Sequence, residues 1–286
     1  MTWQGRYINL DRASERRARV EEQIAAQGLA HRYRRFAAVD GCTLERTSPC
    51  SAPEVGIFRS HRDVLAEVVA GGLPTHVIED DVLLCDLTAP AIERTIAAGA
   101  LDRFDIVFLE TYVPMQARAI RDWRALLARC TRGRWPIESV EQVGLFDLGE
   151  RYYFGATSYL VGPRGAGVLL GLADAEWARA GGPTCPFDDL IQRAARARRL
   201  RVGCLMPFVT AIDLRTGPHS SAGRTREDPA MAQVQRLLRH SFYARRDLDG
   251  DVIPSLEALL AGARARPADP ALAVDLRVLE FLHRTR

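Results

Sequence analysis

The hydrophobic pattern opens on Tyr7-Ile8-Asn9-Leu10, a short apolar run that reads as a strand. A polar turn follows, and Ser14 stands where it can cap a helix whose apolar face holds Val20 and Ile24 and which stops at Gly28. Residues 36–39 predict a second strand running into Asp40-Gly41, and residues 42–55, rich in Ser, Pro and Cys, predict a loop. From about Phe58, Leu65, Val68 and Val69 recur on one side of a predicted helix that ends at Gly71-Gly72. Residues 75–78 form a short predicted strand that delivers Glu79-Asp80-Asp81. A helix over 89–98 then precedes a buried strand over 105–109. Strands alternating with helices predict an α/β domain around a mostly parallel sheet.

Residues 114–150 carry a weaker pattern. Trp123, Leu126 and Leu127 fit one helix face, and residues 132–136 read as an exposed loop. Beyond them come an extended stretch over 152–161, a helix opened by Pro163, a helix entered through Pro186-Phe187-Asp188-Asp189, and a strand over 200–205. After Pro207 the character changes. Residues 213–229 are polar, and helices are predicted near 229–242, 254–265 and 270–286, the last with Leu272, Leu276, Leu279 and Leu282 at helical spacing. This divides the chain into a catalytic domain over 1–215 and a loop-and-helix extension over 216–286.

Composition narrows the function classes. The chain has 286 residues, enough for a sizeable core. Its net charge of +3 argues against general nucleic-acid binding, although Arg196, Arg198, Arg199 and Arg201 form a local basic cluster. Every basic side chain is Arg or His. No apolar run approaches the roughly 18 residues that span a bilayer, and the N-terminus has no secretory apolar region, so a soluble cytoplasmic protein is expected. The six cysteines form no C-x-x-C pair, which argues against a zinc site or a disulfide framework.

The candidate chemistry lies in carboxylates. Glu79-Asp80-Asp81 ends a hydrophobic strand, where open α/β sheets bind ligands. Three adjacent carboxylates repel one another unless a cation sits among them, and their oxygens suit magnesium or manganese; a solvated acidic turn is the plainer reading. Asp188-Asp189 is a second pair, read either as an acceptor-side general base or as a helix cap at Asp189. His61 reads as structural, His219 as a solvated loop residue or a late metal contact, and Arg12, Arg16 and Arg17 as a charged helix face. No phosphate-binding P-loop, dinucleotide-binding glycine motif or esterase nucleophile elbow occurs.

In order, these segments resemble glycosyltransferase family 25, the bacterial lipooligosaccharide galactosyltransferases and their collagen-modifying relatives. The elements that carry the resemblance are Tyr7-Ile8-Asn9-Leu10-Asp11-Arg12 with Arg16-Arg17, Ala38-Val39-Asp40-Gly41, Gly56 with Ser60-His61, Glu79-Asp80-Asp81, Tyr159-Leu160-Val161 with Gly165-Ala166, and Phe187-Asp188-Asp189. The resemblance implies a GT-A-like nucleotide-binding fold and transfer of a sugar, galactose being the family's commonest, from a UDP-sugar to a bacterial surface oligosaccharide. It implies a divalent metal, manganese or magnesium, held by Asp80 and Asp81 with His219 as a further ligand. Asn9, Arg16, Asp40, Glu79 and Asp80 become donor contacts, and Asp188 and Asp189 the catalytic candidates. The implied partners are a nucleotide-sugar donor and a glycan or glycolipid acceptor, with no nucleic acid and no transmembrane segment. Peripheral membrane contact and a homo-oligomer through the C-terminal helices are compatible with it. A metal-dependent hydrolase and a non-catalytic sugar-nucleotide or glycan-binding module are the alternatives.

Overall fold

Strand β1 (Gln4–Asn9) leads into α1 (Ser14–Ala26), β2 (Tyr33–Ala37), α2 (Ala52–Gly71), β3 (Thr75–Glu79) and β4 (Val82–Leu84). Then come α3 (Thr88–Ala97), α4 (Ala100–Arg103), β5 (Ile106–Glu110), α5 (Ala117–Thr131), β6 (Gly144–Asp147) and β7 (Ser158–Val161). The last described elements are α6 (Pro163–Ala180), α7 (Phe187–Arg196), β8 (Val202–Met206), β9 (Thr210–Ile212) and α8 (Pro229–His240). The structure is a computed structural model that describes residues 2–44, 48–114, 116–134, 137–152, 154–216 and 229–245. His219 and the predicted helices near 254–265 and 270–286 lie outside the described residues.

Seven strands form one sheet in the order β2-β1-β3-β7-β5-β8-β6. Strands β1, β2, β3, β5 and β8 run one way, while β7 and β6 run against their neighbours, so the sheet is mostly parallel. Its inner strands are apolar on both faces because both faces are covered. On one side, Val77, Phe108, Tyr159 and Cys204 pack against Phe58 and Leu65 of α2, Leu169 of α6, Ile191 of α7 and Trp123 of α5. On the other, Ile78, Val107 and Leu160 pack against Val20 and Ile24 of α1, Ile92 of α3 and the separate antiparallel pair β4–β9. The result is an α/β fold of the GT-A-like class, with Asn9, Glu79 and Glu110 each ending a parallel strand at the same edge.

Several boundaries differ from the sequence reading for local reasons. Ser14 is the first residue of α1, not its cap; Ala13 holds that place and no side chain caps the helix. Helix α2 starts at Ala52, inside the predicted loop, because Glu54 accepts hydrogen bonds from both the backbone N and Oγ of Ser51, each at 2.8 Å. Of the extended stretch 152–161, only Ser158–Val161 is strand. Strands β4, β6 and β9 are three or four residues long, too short to show a period.

Helix α8 packs into the same core. Leu238 and Phe242 join one hydrophobic cluster and Tyr243 the other. The Phe208 backbone N donates to the Phe242 carbonyl at 2.8 Å, and the Ala244 N donates back to the Phe208 carbonyl at 2.8 Å. Among the described residues no helix is long and apolar enough to cross a membrane.

Candidate functional site

The carboxyl ends of β1, β2 and β3 border an open cleft of about 540 Å³, counting the space that opens to solvent. Arg12, Arg16, Asp40, His61, Glu79 and Asp80 contribute its polar lining. Backbone shape helps to form it. A Cβ on Gly41 would lie 1.7 Å from the Ala52 carbonyl oxygen, and one on Gly56 would lie 2.5 Å from the Val39 carbonyl oxygen. The bare backbones let the turn after β2 seat directly on α2, which fixes Asp40 at the cleft mouth. Asp40 accepts from the Cys42 backbone N at 3.1 Å and pairs with Arg12. Arg12 precedes α1 in the turn after β1, so it is a cleft residue and not part of a charged helix face.

The three acidic residues face three environments because Glu79 ends β3 while Asp80 and Asp81 form the turn that leads into β4. Glu79 lies 3.3 Å from His61 Nε2. The His61 Nδ1 lies 3.0 Å from the Tyr159 hydroxyl, and its ring stacks on Phe187 with centroids 4.7 Å apart. His61, structural by the sequence reading, therefore orients Glu79 and links it to the start of α7.

Asp80 turns to the opposite side, toward α1. It accepts from Asn9 Nδ2 at 2.7 Å and pairs with Arg16 at 3.1 Å. Asn9 sits beneath the cleft, fully buried, its amide oxygen bound by Arg35 Nε at 3.0 Å. Burial raises the pKa of Asp80, against the opposing pull of Arg16 and Asn9.

Asp81 lies behind the cleft, and its Oδ1 has no hydrogen-bond partner among the described residues. Burial, together with Glu79 and Asp80, pushes its pKa up to about 7, while Arg16 and Arg236 oppose the shift. Its carbonyl accepts from the Asp213 backbone N at 2.7 Å, which ties the triplet to the end of β9.

Asp188 and Asp189 occupy the first turn of α7. Pro186 is the N-cap, so Asp189 is not the capping residue. Asp188 accepts from the Gly155 N at 3.4 Å and from the Asp189 N at 3.1 Å. They lie outside the cleft lining but at the same edge of the sheet, one and two residues beyond the Phe187 ring that stacks on His61.

Further along that edge stand residues the sequence reading did not single out. Glu110 ends β5, buried, and pairs with Arg239 of α8. The Thr157 hydroxyl donates to Glu110 at 2.7 Å. Arg236 donates to the Asp213 carbonyl, and Asp213 pairs with Arg215 at 2.9 Å. A charge at the end of a predicted buried strand was the available signal for Glu110; the arginines on α8 carried none.

Among the described residues no group of three or more His, Cys, Asp or Glu side chains is arranged to hold a metal ion. The orphaned Asp81 oxygen, crowded by two further carboxylates, nevertheless suits a hard cation that keeps part of its shell for water and phosphate oxygens. Residues 6–191 match the family model described as Glycosyltransferase family 25 (LPS biosynthesis protein). Comparison with curated proteins returns no match.

Proposed function

Because the chain belongs to glycosyltransferase family 25, we propose that it moves a sugar, galactose by preference, from a UDP-sugar to a hydroxyl of a bacterial surface oligosaccharide such as lipooligosaccharide. One observation carries this reading. Four residues expected at the donor, Arg16, Asp40, Glu79 and Asp80, line a single cleft at the carboxyl ends of parallel strands. A hydrolase of phosphate esters would be served by a compact carboxylate cage, whereas here Glu79 is turned to His61 and Asp80 to Arg16 and Asn9, leaving Asp81 Oδ1 without a partner among the described residues.

In this reading Arg12 and Arg16 present guanidinium groups to the donor phosphates, and Asn9 holds Asp80 in place from beneath. Asp80 and Asp81 would hold manganese or magnesium, which supplies Lewis-acid stabilisation of the departing diphosphate. His61 keeps Glu79 facing the cleft. Asp188 or Asp189 would take the proton from the acceptor hydroxyl, since α7 starts beside His61 at the same edge.

The test is a panel of UDP-sugars, with and without manganese, scored for donor hydrolysis and for transfer to a lipooligosaccharide fragment. Metal-dependent turnover of one UDP-sugar, lost in Asp80→Asn, supports the proposal. Binding of nucleotide without turnover under any metal would favour a sugar-nucleotide binding module.

A further inference from the structure

We infer that helix α5 is the surface through which this protein docks on an anionic phospholipid bilayer. The inference rests on the reading that the acceptor is lipid-linked. Residues 117–134 hold six arginines and one aspartate, a local charge of +5 in a chain whose total is +3. Arg118, Arg121, Arg129 and Arg132 are exposed and, with Ala125 and Ala128, form one stripe of the helix and its C-cap. The opposite stripe is fixed to the core: Ile120 and Trp123 are buried, and the Trp123 ring lies 5.7 Å from Phe208 and 6.0 Å from Phe242.

The charge of the stripe contrasts with that of the exposed arginines on α1 and α2, which pair with acidic neighbours one turn away. On α1, Arg17 pairs with Glu21 and Arg19 with Glu15; on α2, Arg59 pairs with Asp63. No ion pair is formed by Arg118, Arg121, Arg129 or Arg132 among the described residues. Asp122 is exposed on the flank of this stripe and leaves it with a net charge of +3, an excess that is costly in self-repulsion and fits a surface of opposite sign. Its position fits a membrane-embedded acceptor: α5 begins just past Glu110, at the edge of the sheet that carries the candidate acceptor residues. Val69, on α2, is the one large hydrophobic side chain that is exposed among the described residues. Binding is therefore electrostatic, without apolar insertion, and weakens with salt.

The test measures partition of the full chain onto vesicles of phosphatidylcholine with and without phosphatidylglycerol. The expected result is binding only to the anionic vesicles, lost at high salt. Combining Arg118→Gln, Arg121→Gln, Arg129→Gln and Arg132→Gln should weaken partition by about a hundredfold or more, since each basic residue near an anionic surface contributes severalfold. A control combining Arg193→Gln, Arg196→Gln, Arg198→Gln and Arg199→Gln removes the same charge from the exposed end of α7. It should retain most of the binding, and the melting temperature of both variants verifies their folding. Equal loss in both variants, no wild-type binding to anionic vesicles, or tighter binding to single-stranded DNA than to vesicles would overturn the inference. Because the vesicles carry no sugar substrate, this outcome is independent of the donor-turnover test, and either proposal can fail alone.

Discussion

The guanidinium group of Arg239 on α8 closes on the carboxylate of Glu110 at the end of β5, 129 positions earlier in the chain. Both side chains are buried, and Arg239 also reaches the Thr157 hydroxyl at 3.0 Å. A buried pair of this kind contributes little net stability over an apolar pair, but removing one partner strands the other charge. Arg239→Met should therefore lower stability to urea by about 3–5 kcal/mol, and adding Glu110→Gln should recover much of that loss. A single variant that costs less than about 1 kcal/mol would mean that water already reaches the pair.

A second expectation concerns Asp81, whose carboxyl group is buried beside two others with its pKa pushed up to about 7, so the comparison belongs at about pH 8, where it carries its charge. Asp81→Asn removes one negative charge at nearly constant volume. The metal-free protein should melt at a higher temperature, by roughly 2–4 °C for each kcal/mol of repulsion relieved. Manganese-dependent UDP affinity should fall at the same time. Calorimetric titration of UDP with and without manganese reads the second effect, and unchanged metal dependence would remove Asp81 from the metal site.

Much of this arrangement was legible before the fold. The carboxyl ends of β1 and β3 are marked by polar residues that break apolar runs at Asn9 and Glu79, and Asp40 follows the run that ends β2. Such breaks are visible because buried strands of a covered sheet are nearly uniform in character. The contribution of α8 was not legible. Arg236 and Arg239 lie on an amphipathic helix where charge normally means solvent, and only the tertiary fold turns them inward toward Asp213 and Glu110. The role of His61 was hidden for a related reason: its partners Tyr159 and Phe187 are 98 and 126 residues away in sequence.

The pH dependence of stability should carry the mark of His76. Its ring is fully buried between the Tyr33 hydroxyl, at 2.5 Å, and Ser158 Oγ, at 2.9 Å. Burial pushes its pKa down to about 3, so the folded protein keeps it neutral where the unfolded chain takes up a proton. Stability due to this group is therefore full above about pH 6.5 and is lost as pH falls toward 3, by up to about 1.4 kcal/mol per pH unit. Comparing urea unfolding of the wild type and His76→Gln isolates the effect from that of the carboxylates. The difference between them should shrink as pH falls from 7 to 4.5; a constant difference would mean that His76 takes up its proton as readily in the fold as in the unfolded chain.

The roles of Asp188 and Asp189 can be separated by chemistry that does not depend on their shared place in α7. Both lie in the first helical turn, where a negative charge is favoured by the helix dipole, so either Asn substitution should cost about 0.3–1 kcal/mol of stability. That loss is structural and the same for both. A general base differs, because deleting it slows proton removal from the acceptor hydroxyl by about 10²–10⁴-fold without touching the donor cleft. Asp188 accepts from the Gly155 backbone N at 3.4 Å, in the segment that runs on to Thr157 and β7. Its carboxylate thus borders the edge that also carries Glu110 and Glu79, and Asp188→Asn is expected to show the larger loss of transfer. UDP affinity should stay within a factor of two or so in both variants, because neither residue lines the donor cleft. Single-turnover transfer and UDP titration on the same protein samples decide the matter. If UDP affinity and transfer fall together, the pair supports the donor site through packing; if neither changes, both carboxylates serve only the helix end.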